Sequence, residues 1–212
     1  MPRWSPDAQR IAFAAASPGH SWNVWLISRD GGSAEQLTSD GVISGDPAWS
    51  PDGNSLAFGI LGDSAGETAI RMLNLQTRQF VELDGSRGIF APRWSPDGRH
   101  IVAITFDSKK LMLFDFKTNR WRSLFVREGS IGYISWSPDS AYVYFDNQFT
   151  EDSSFLRVRI QDAKIERVVD LKGTRLFSST FGPWTGITPE EEPLLVRDQS
   201  SQEVYALELQ VR

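Results

Sequence analysis

The chain contains no cysteine, so disulfide staples, thiolate metal ligands and cysteine nucleophiles are all excluded. It has only two histidines, His20 and His100, eighty positions apart. Either would need converging partners to act as a base or a ligand, and a solvent-facing or capping role is the expectation for both. Positive charge is also scarce: 22 Lys and Arg stand against 27 Asp and Glu, a net charge of −5. The basic residues are scattered, without the concentrated cationic face that nucleic acid requires. No apolar run approaches the ~18 residues that span a bilayer, and Met1-Pro2-Arg3-Trp4 lacks the apolar stretch of a signal peptide. The chain is therefore expected to have no nucleic-acid partner and no membrane insertion, while its compartment stays open, cytoplasmic if the chain stands alone. Membership of a longer exported or membrane-anchored protein would make it periplasmic instead.

What the chain does have is a phrase written four times. Trp-Ser-Pro-Asp starts at Trp4, Trp49, Trp94 and Trp136, at intervals of 45, 45 and 42 residues, within the span of a propeller blade. A degenerate fifth copy begins at Trp184, where Thr188-Pro189-Glu190 follows after an insertion. Each unit reads as four short strands. The first ends at the Trp, and the second alternates apolar residues (Ile11/Phe13, Leu56/Phe58, Ile101/Ala103, Val143/Phe145, Leu194/Val196) in the period of a strand with one buried face. Third strands are "NVWLIS", "AIRMLNL", "LMLFDF", "FLRVRI" and "EVYALEL"; fourth strands are "AEQLT", "QFVEL", "RWRSLF" and "IERVVDL". A four-stranded unit cannot bury both of its faces alone, so neighbours must stack around an axis. The fold expected is all-β, a propeller of five four-stranded repeats near 1–44, 45–88, 89–131, 132–178 and 179–212. With no spare strand at either end, it is expected to be an incomplete ring from the C-terminal part of a longer propeller.

The phrase reads as scaffold. In Ser-Pro-Asp-Gly, Pro presets φ, Asp accepts from nearby backbone N–H groups and Gly takes a left-handed φ. Ala8 and Ser140 stand where Gly53 and Gly98 do in the other copies, and each should cost roughly 1 kcal/mol in that conformation. The Trp is expected as a wedge between adjacent blades. A catalytic residue has no reason to recur once per blade.

Trp-Ser-Pro-Asp with its alternating tail, followed by "NVWLISRDGGSAEQLT", resembles the TolB-type, WD-like β-propeller repeat of bacteria over essentially the whole chain. The tail "FGPWTGITPEEEPLLVRDQSSQEVYALEL" also resembles the final blade of propellers attached to bacterial winged-helix regulators and Ser/Thr kinases. The resemblance implies a rigid disc that binds a protein or peptide through loops. It does not imply an activity, because the fold hosts many functions.

Chemistry-bearing motifs are weak. Gly62-Asp63-Ser64-Ala65-Gly66 fits the G-x-S-x-G nucleophile elbow, but "ETAIRMLNLQT" after it reads as a strand where the elbow needs a helix. Acidic residues gather at Glu151-Asp152 and Glu190 to Glu192 without a calcium-loop pattern. A glycosidase or lyase would need paired carboxylates in the central channel. The first strands that should line it read as mostly apolar or small. No cofactor and no metal are expected. The loops between second and third strands, and those between blades, should share one face of the disc and carry Trp22, Phe90, Tyr133 and Phe149 beside Arg87 and Arg127. Aromatics and Arg anchor protein interfaces, so Trp22, Arg87, Phe90, Tyr133 and Phe149 are the candidate binding residues. The expected function is a non-catalytic interaction or sensor module of a larger bacterial protein. The alternative is an accessory propeller of a prolyl-oligopeptidase-type hydrolase or a kinase whose catalytic domain lies outside this chain.

Overall fold

The computed structural model describes residues 2–39, 41–62, 66–126, 129–148, 152–179 and 182–201. Among these there is no helix; strands and turns form every described element. Blade one is β1 (Arg3–Trp4), β2 (Arg10–Ala15), β3 (Asn23–Ser28) and β4 (Gly31–Gln36), antiparallel in that spatial order. Blade two repeats it with β5 (Ile43–Trp49), β6 (Ser55–Leu61), β7 (Ala69–Asn74) and β8 (Phe80–Glu82). Blade three follows with β9 (Ile89–Trp94), β10 (His100–Thr105), β11 (Lys110–Asp115) and β12 (Arg120–Val126). In blade four the first strand is broken into β13 (Ser130–Ile131) and β14 (Ser135–Trp136). Both pieces pair with β15 (Tyr142–Gln148), and β16 (Ser154–Arg159) and β17 (Ile165–Asp170) complete the sheet.

The fifth unit departs from the expected repeat. It shows two two-stranded sheets, β18 (Ser178–Ser179) with β19 (Gly182–Pro183) and β20 (Thr185–Ile187) with β21 (Pro193–Leu195). Its expected third strand, "EVYALEL", lies outside the described residues. The fourth strand of blade one also starts earlier than expected: Gly31 already pairs with Ser28, so the chain reverses at Arg29–Asp30.

Second strands were expected to bury one face, and in the interior blades they bury both. Leu56 through Ile60 are all buried, as are Ile101 through Ile104. The reason is stacking. Leu56 and Phe58 join Ala12, Val24 and Leu26 of blade one in one core, while Ala57 faces the other way and joins Ile101, Ala103 and Phe114 of blade three. Val102 and Ile104 then point into a third core with Ile134, Val143 and Phe145 of blade four. Alternate residues thus serve alternate flanks, so every core lies between blades.

The repeat turn is built as its sequence implies. Each Ser is buried and its hydroxyl donates to the Asp two residues on: Ser5 to Asp7 and Ser50 to Asp52 at 2.5 Å, Ser95 to Asp97 and Ser137 to Asp139 at 2.6 Å. The same oxygen accepts the N–H five residues on, from Arg10 (2.9 Å), Ser55 (2.9 Å), His100 (3.0 Å) and Tyr142 (2.9 Å). The fourth turn residue has φ of +71° at Gly53 and +75° at Gly98, and +54° and +61° at Ala8 and Ser140. Successive turns stack, with Gly53 against Pro6 and Gly98 against Pro51.

Candidate functional site: the groove along the first strands

The first strands of blades one to four converge along the inner side of the stack. They leave a concavity of about 460 Å³, walled by the four repeat tryptophans, the turn prolines Pro6, Pro51 and Pro96, and Arg3 and Arg93. Trp49, Trp94 and Trp136 pack between blades as expected, whereas Trp4 is 57% exposed, and two of them also tie blades together. Trp49 is 8% exposed within the core between blades one and two, and its indole donates to the Arg3 carbonyl at 3.0 Å. Trp136 donates to the Arg93 carbonyl at 2.9 Å. Trp94 breaks the series: it donates to Gly98 of its own turn at 3.3 Å and stacks on Phe116 with centroids 5.2 Å apart. Arg10 braces the first junction, with its guanidinium 4.9 Å from the Trp49 ring and a 3.2 Å bond to the Gly53 carbonyl.

The residue before each Trp decides the character of the groove. It is Arg3, Ala48, Arg93 and Ser135 in turn, so small residues separate two guanidinium groups. Arg93 is 7% exposed. One terminal nitrogen donates to the Pro92 carbonyl at 2.7 Å, the other reaches Asp46 Oδ1 at 3.3 Å, and its Nε is buried without a partner. Burial alone would push the Asp46 carboxyl up, but neighbouring positive charge, Arg93 foremost and Arg3 with a smaller share, holds the carboxyl below its usual range. Arg3 is pushed down to about 10, first by repulsion from Arg93 and then by burial, against the attraction of Asp46. One carboxylate thus stands near two guanidiniums.

The first strands are mostly apolar or small, with three charged exceptions. Arg3, Asp46 and Arg93 put charge there, and the signal was visible as Pro-Arg-Trp written at Pro2 and again at Pro92. Bulges re-aim these strands. The β5–β6 register shifts between Gly45 and Ala48 and the β9–β10 register between Val102 and Ile104. The shifts coincide with positive φ at Asp46 (+52°) and Ala91 (+54°), three residues before their Trp.

Of the loop candidates, Trp22 lies just before β3, 43% exposed, with its carbonyl accepting the Ser44 N–H at 2.8 Å. Arg87 lies between β8 and β9, with its side chain 76% exposed and 3.7 Å from Glu82. Phe90 is not in a loop. It sits within β9, half-buried against the core between blades three and four, because the first strand runs farther upstream of the Trp than the turn pattern suggests. Tyr133 is half-buried between β13 and β14, in the position relative to its Trp that Asp46 occupies in blade two. Phe149 and Arg127 lie outside the described residues. The four described candidates lie before β3, between β8 and β9, within β9, and between β13 and β14.

Asp63, Ser64 and Ala65 lie outside the described residues, and the segment that follows is strand β7. His100 is on β10, stacked beside Trp136 with centroids 6.4 Å apart and its Nε2 4.0 Å from Asp115. His20 is exposed in a turn of blade one. Among the described residues, no three His, Asp or Glu side chains converge to hold a metal ion.

Comparison with known structures supports the blade geometry. The fold superposes on TolB from Acinetobacter baumannii with a TM-score of 0.71 at 22% identity, covering 90% of this chain and 46% of that one. It superposes on a putative TolB from Agrobacterium tumefaciens with a TM-score of 0.73 at 18% identity, covering 92% and 72%. The chain's fold is a β-propeller like that of these TolB structures. The same architecture extends to an oligogalacturonate lyase from Vibrio parahaemolyticus, with a TM-score of 0.60 at 17% identity over 77% of this chain and 49% of that one. At the sequence level the chain is 26% identical over 151 residues to the uncharacterized peptidase YuxL of Bacillus subtilis, covering 71% of this chain. It is 30% identical over 105 residues to a TolB homolog of Chlorobium luteolum, covering 50%. The chain spans only 22% and 23% of the lengths of these two relatives. No protein-family model matches it.

Proposed function

We propose that this chain is a non-catalytic protein-interaction module that receives an extended segment of a partner protein in the groove along its first strands. The observation that carries this reading is the groove, a preformed concavity of about 460 Å³ with broad apolar walls and a few charged groups, which is the composition of a binding site. Trp49 and Trp136 have already committed their N–H groups to the backbone, so they offer ring surface. The recurring carboxylates Asp7, Asp52, Asp97 and Asp139 are occupied as turn acceptors and are poor candidates for acid–base work. Trp22 and Arg87 provide secondary contacts on the loop side.

The test is a peptide-display selection on the purified chain, followed by hydrogen exchange with an enriched peptide bound. Protection of the amides in β1, β5, β9 and β14 is the expected result. Enriched peptides that protect only the outer strands, or no enrichment at all, would overturn the groove reading. Turnover of ester or peptide substrates, lost in Ser64→Ala, would overturn the non-catalytic one.

One observation favours a second reading: the match to a protein named as a peptidase covers 71% of this chain. On that reading the propeller is the accessory domain of a hydrolase and positions its substrate. A hydrolase domain in the same genomic reading frame would support it, and a frame without one would remove it.

A further inference from the structure

We infer that the groove selects a partner carrying an acidic side chain, whose carboxylate is held between Arg3 and Arg93. The inference rests on the groove being the binding surface and adds the chemistry that the groove recognises.

The hydrogen bonding of Arg93 is incomplete. A guanidinium carries five N–H donors in a planar fork, and a matched carboxylate takes two of them in parallel bonds of about 2.7–2.9 Å. Asp46 takes one, from a single terminal nitrogen, at 3.3 Å. A second donor goes to the Pro92 carbonyl, and Nε is buried with no acceptor. An arginine side chain 9% exposed is seldom left in this condition, because a buried charge with unmet donors is costly. Arg3, on the neighbouring side of the same groove, adds a second positive charge. The Asp46 side chain is 35% exposed and is the single carboxylate drawn to both.

The occupant follows from the charge and the walls together. An excess of one positive charge fits one carboxylate. A polyanion is disfavoured because the chain as a whole carries −5 and would repel it outside the groove. Tryptophan faces and proline rings on either side of the two guanidiniums suit a peptide whose acidic residue is flanked by apolar ones. The Trp N–H groups cannot compete for the carboxylate, since those of Trp49, Trp94 and Trp136 already bond to backbone carbonyls.

The experiment is a display selection on the intact chain, using a nonapeptide library that carries Glu or Gln in equal amounts at its central position and random residues elsewhere. Glu should be enriched over Gln by about tenfold, the scale of one charge-assisted bidentate contact. Arg3→Gln should abolish that preference while leaving the thermal unfolding midpoint within a few degrees. Asp46→Asn removes the competing carboxylate and should increase the preference for Glu, an effect that a purely structural ion pair would not produce. Arg93→Gln should also abolish the preference. If Arg93→Gln fails to fold, the Arg3 and Asp46 variants carry the test. Peptides that protect the groove with equal Glu and Gln would overturn the charge inference and leave the interaction reading standing. An unchanged preference in Arg3→Gln would do the same. Selection of no groove-binding peptide would overturn both.

Discussion

The indole of Trp136 donates to the backbone carbonyl of Arg93, 43 residues earlier, at 2.9 Å. Trp49 makes the same bond to Arg3, whereas Trp94 turns its N–H back to Gly98 in its own turn. One residue type in one repeat position therefore does two jobs. Losing an inter-blade bond leaves an inner-strand carbonyl short of its donor, at a cost of about 1–3 kcal/mol. Trp136→Phe and Trp49→Phe should lower the urea unfolding midpoint clearly more than Trp94→Phe does. Each substitution also removes one indole N–H bond, so the difference compares the bonds between blades with the 3.3 Å bond inside one turn. Equal losses would show that the bonds between blades carry no more weight than the local one.

Ala8 and Ser140 hold the left-handed turn position that glycine fills in blades two and three. Relief of that strain is worth ~1–2 kcal/mol, against ~0.4–1 kcal/mol for the freer unfolded chain of a glycine variant. Ala8→Gly should therefore stabilise by roughly 0.5–1 kcal/mol. Ser140→Gly should not, because the Ser140 hydroxyl accepts the Asp97 N–H of the preceding blade at 3.1 Å and its loss offsets about 1 kcal/mol. Equilibrium urea unfolding of the two variants distinguishes them. Equal gains would mean that the Ser140 bond carries no weight.

The turn carboxylates set the response to acid. Asp7, Asp52 and Asp139 are held below the ordinary value of 3.8 by their Ser hydroxyls and then by backbone N–H groups. For Asp97, burial pushes the other way but is outweighed by Ser95 and the Arg99 N–H. A carboxyl depressed in the folded state binds fewer protons there than in the unfolded chain, so stability rises with pH across the interval between the two values. The contribution is complete above about pH 4–5 and is lost as pH falls through the folded values below 3.8. The urea midpoint should hold from pH 7 to pH 5 and then fall steeply. Ser137→Ala removes the leading donor to Asp139, so it should cost more stability at pH 7 than at pH 2.5. A constant cost would refute the linkage.

The fold was legible because the repeat's bonds are local. Ser5 reaches Asp7 and Arg10, all within six residues, so the turn can be read without knowing what it packs against. The groove was harder to see for the opposite reason. Arg3 and Arg93 are ninety residues apart and share the groove only after blades one to three have stacked, and the repeated Pro-Arg-Trp does not by itself say that the two will line one cavity. Phe90 was misplaced for a related reason. The bulge at Ala91 lets β9 run past the expected loop, and bulges follow from pairing geometry rather than from residue type. The fifth unit diverged where its phrase did, since Trp184 is followed by Thr185 instead of Ser-Pro-Asp.

That divergence changes how the fifth unit is attached. The Thr185 hydroxyl donates to the Asp146 carboxylate of blade four, a side chain with no exposure to solvent. Glu191 accepts from the Tyr144 hydroxyl at 2.5 Å, and Arg157 donates to the same hydroxyl at 3.2 Å. Ile187 and Leu195 add apolar contact with the core of Tyr144, Phe155 and Leu171. Two of the three earlier junctions use a tryptophan bond to a carbonyl, and this one uses carboxylates. Thr185→Val keeps the shape but deprives a buried carboxylate of a donor, at a cost of ~2 kcal/mol. Tyr144→Phe keeps the ring packing and removes bonds that are partly solvent-exposed, so its cost should be smaller. Amide exchange in β20 and β21 should quicken about 30-fold in Thr185→Val and less in Tyr144→Phe, with β2, β6 and β10 unchanged in both. Equal quickening across all blades would mean that the fifth unit unfolds only with the rest of the stack, and that the carboxylate contacts do not form a separable latch.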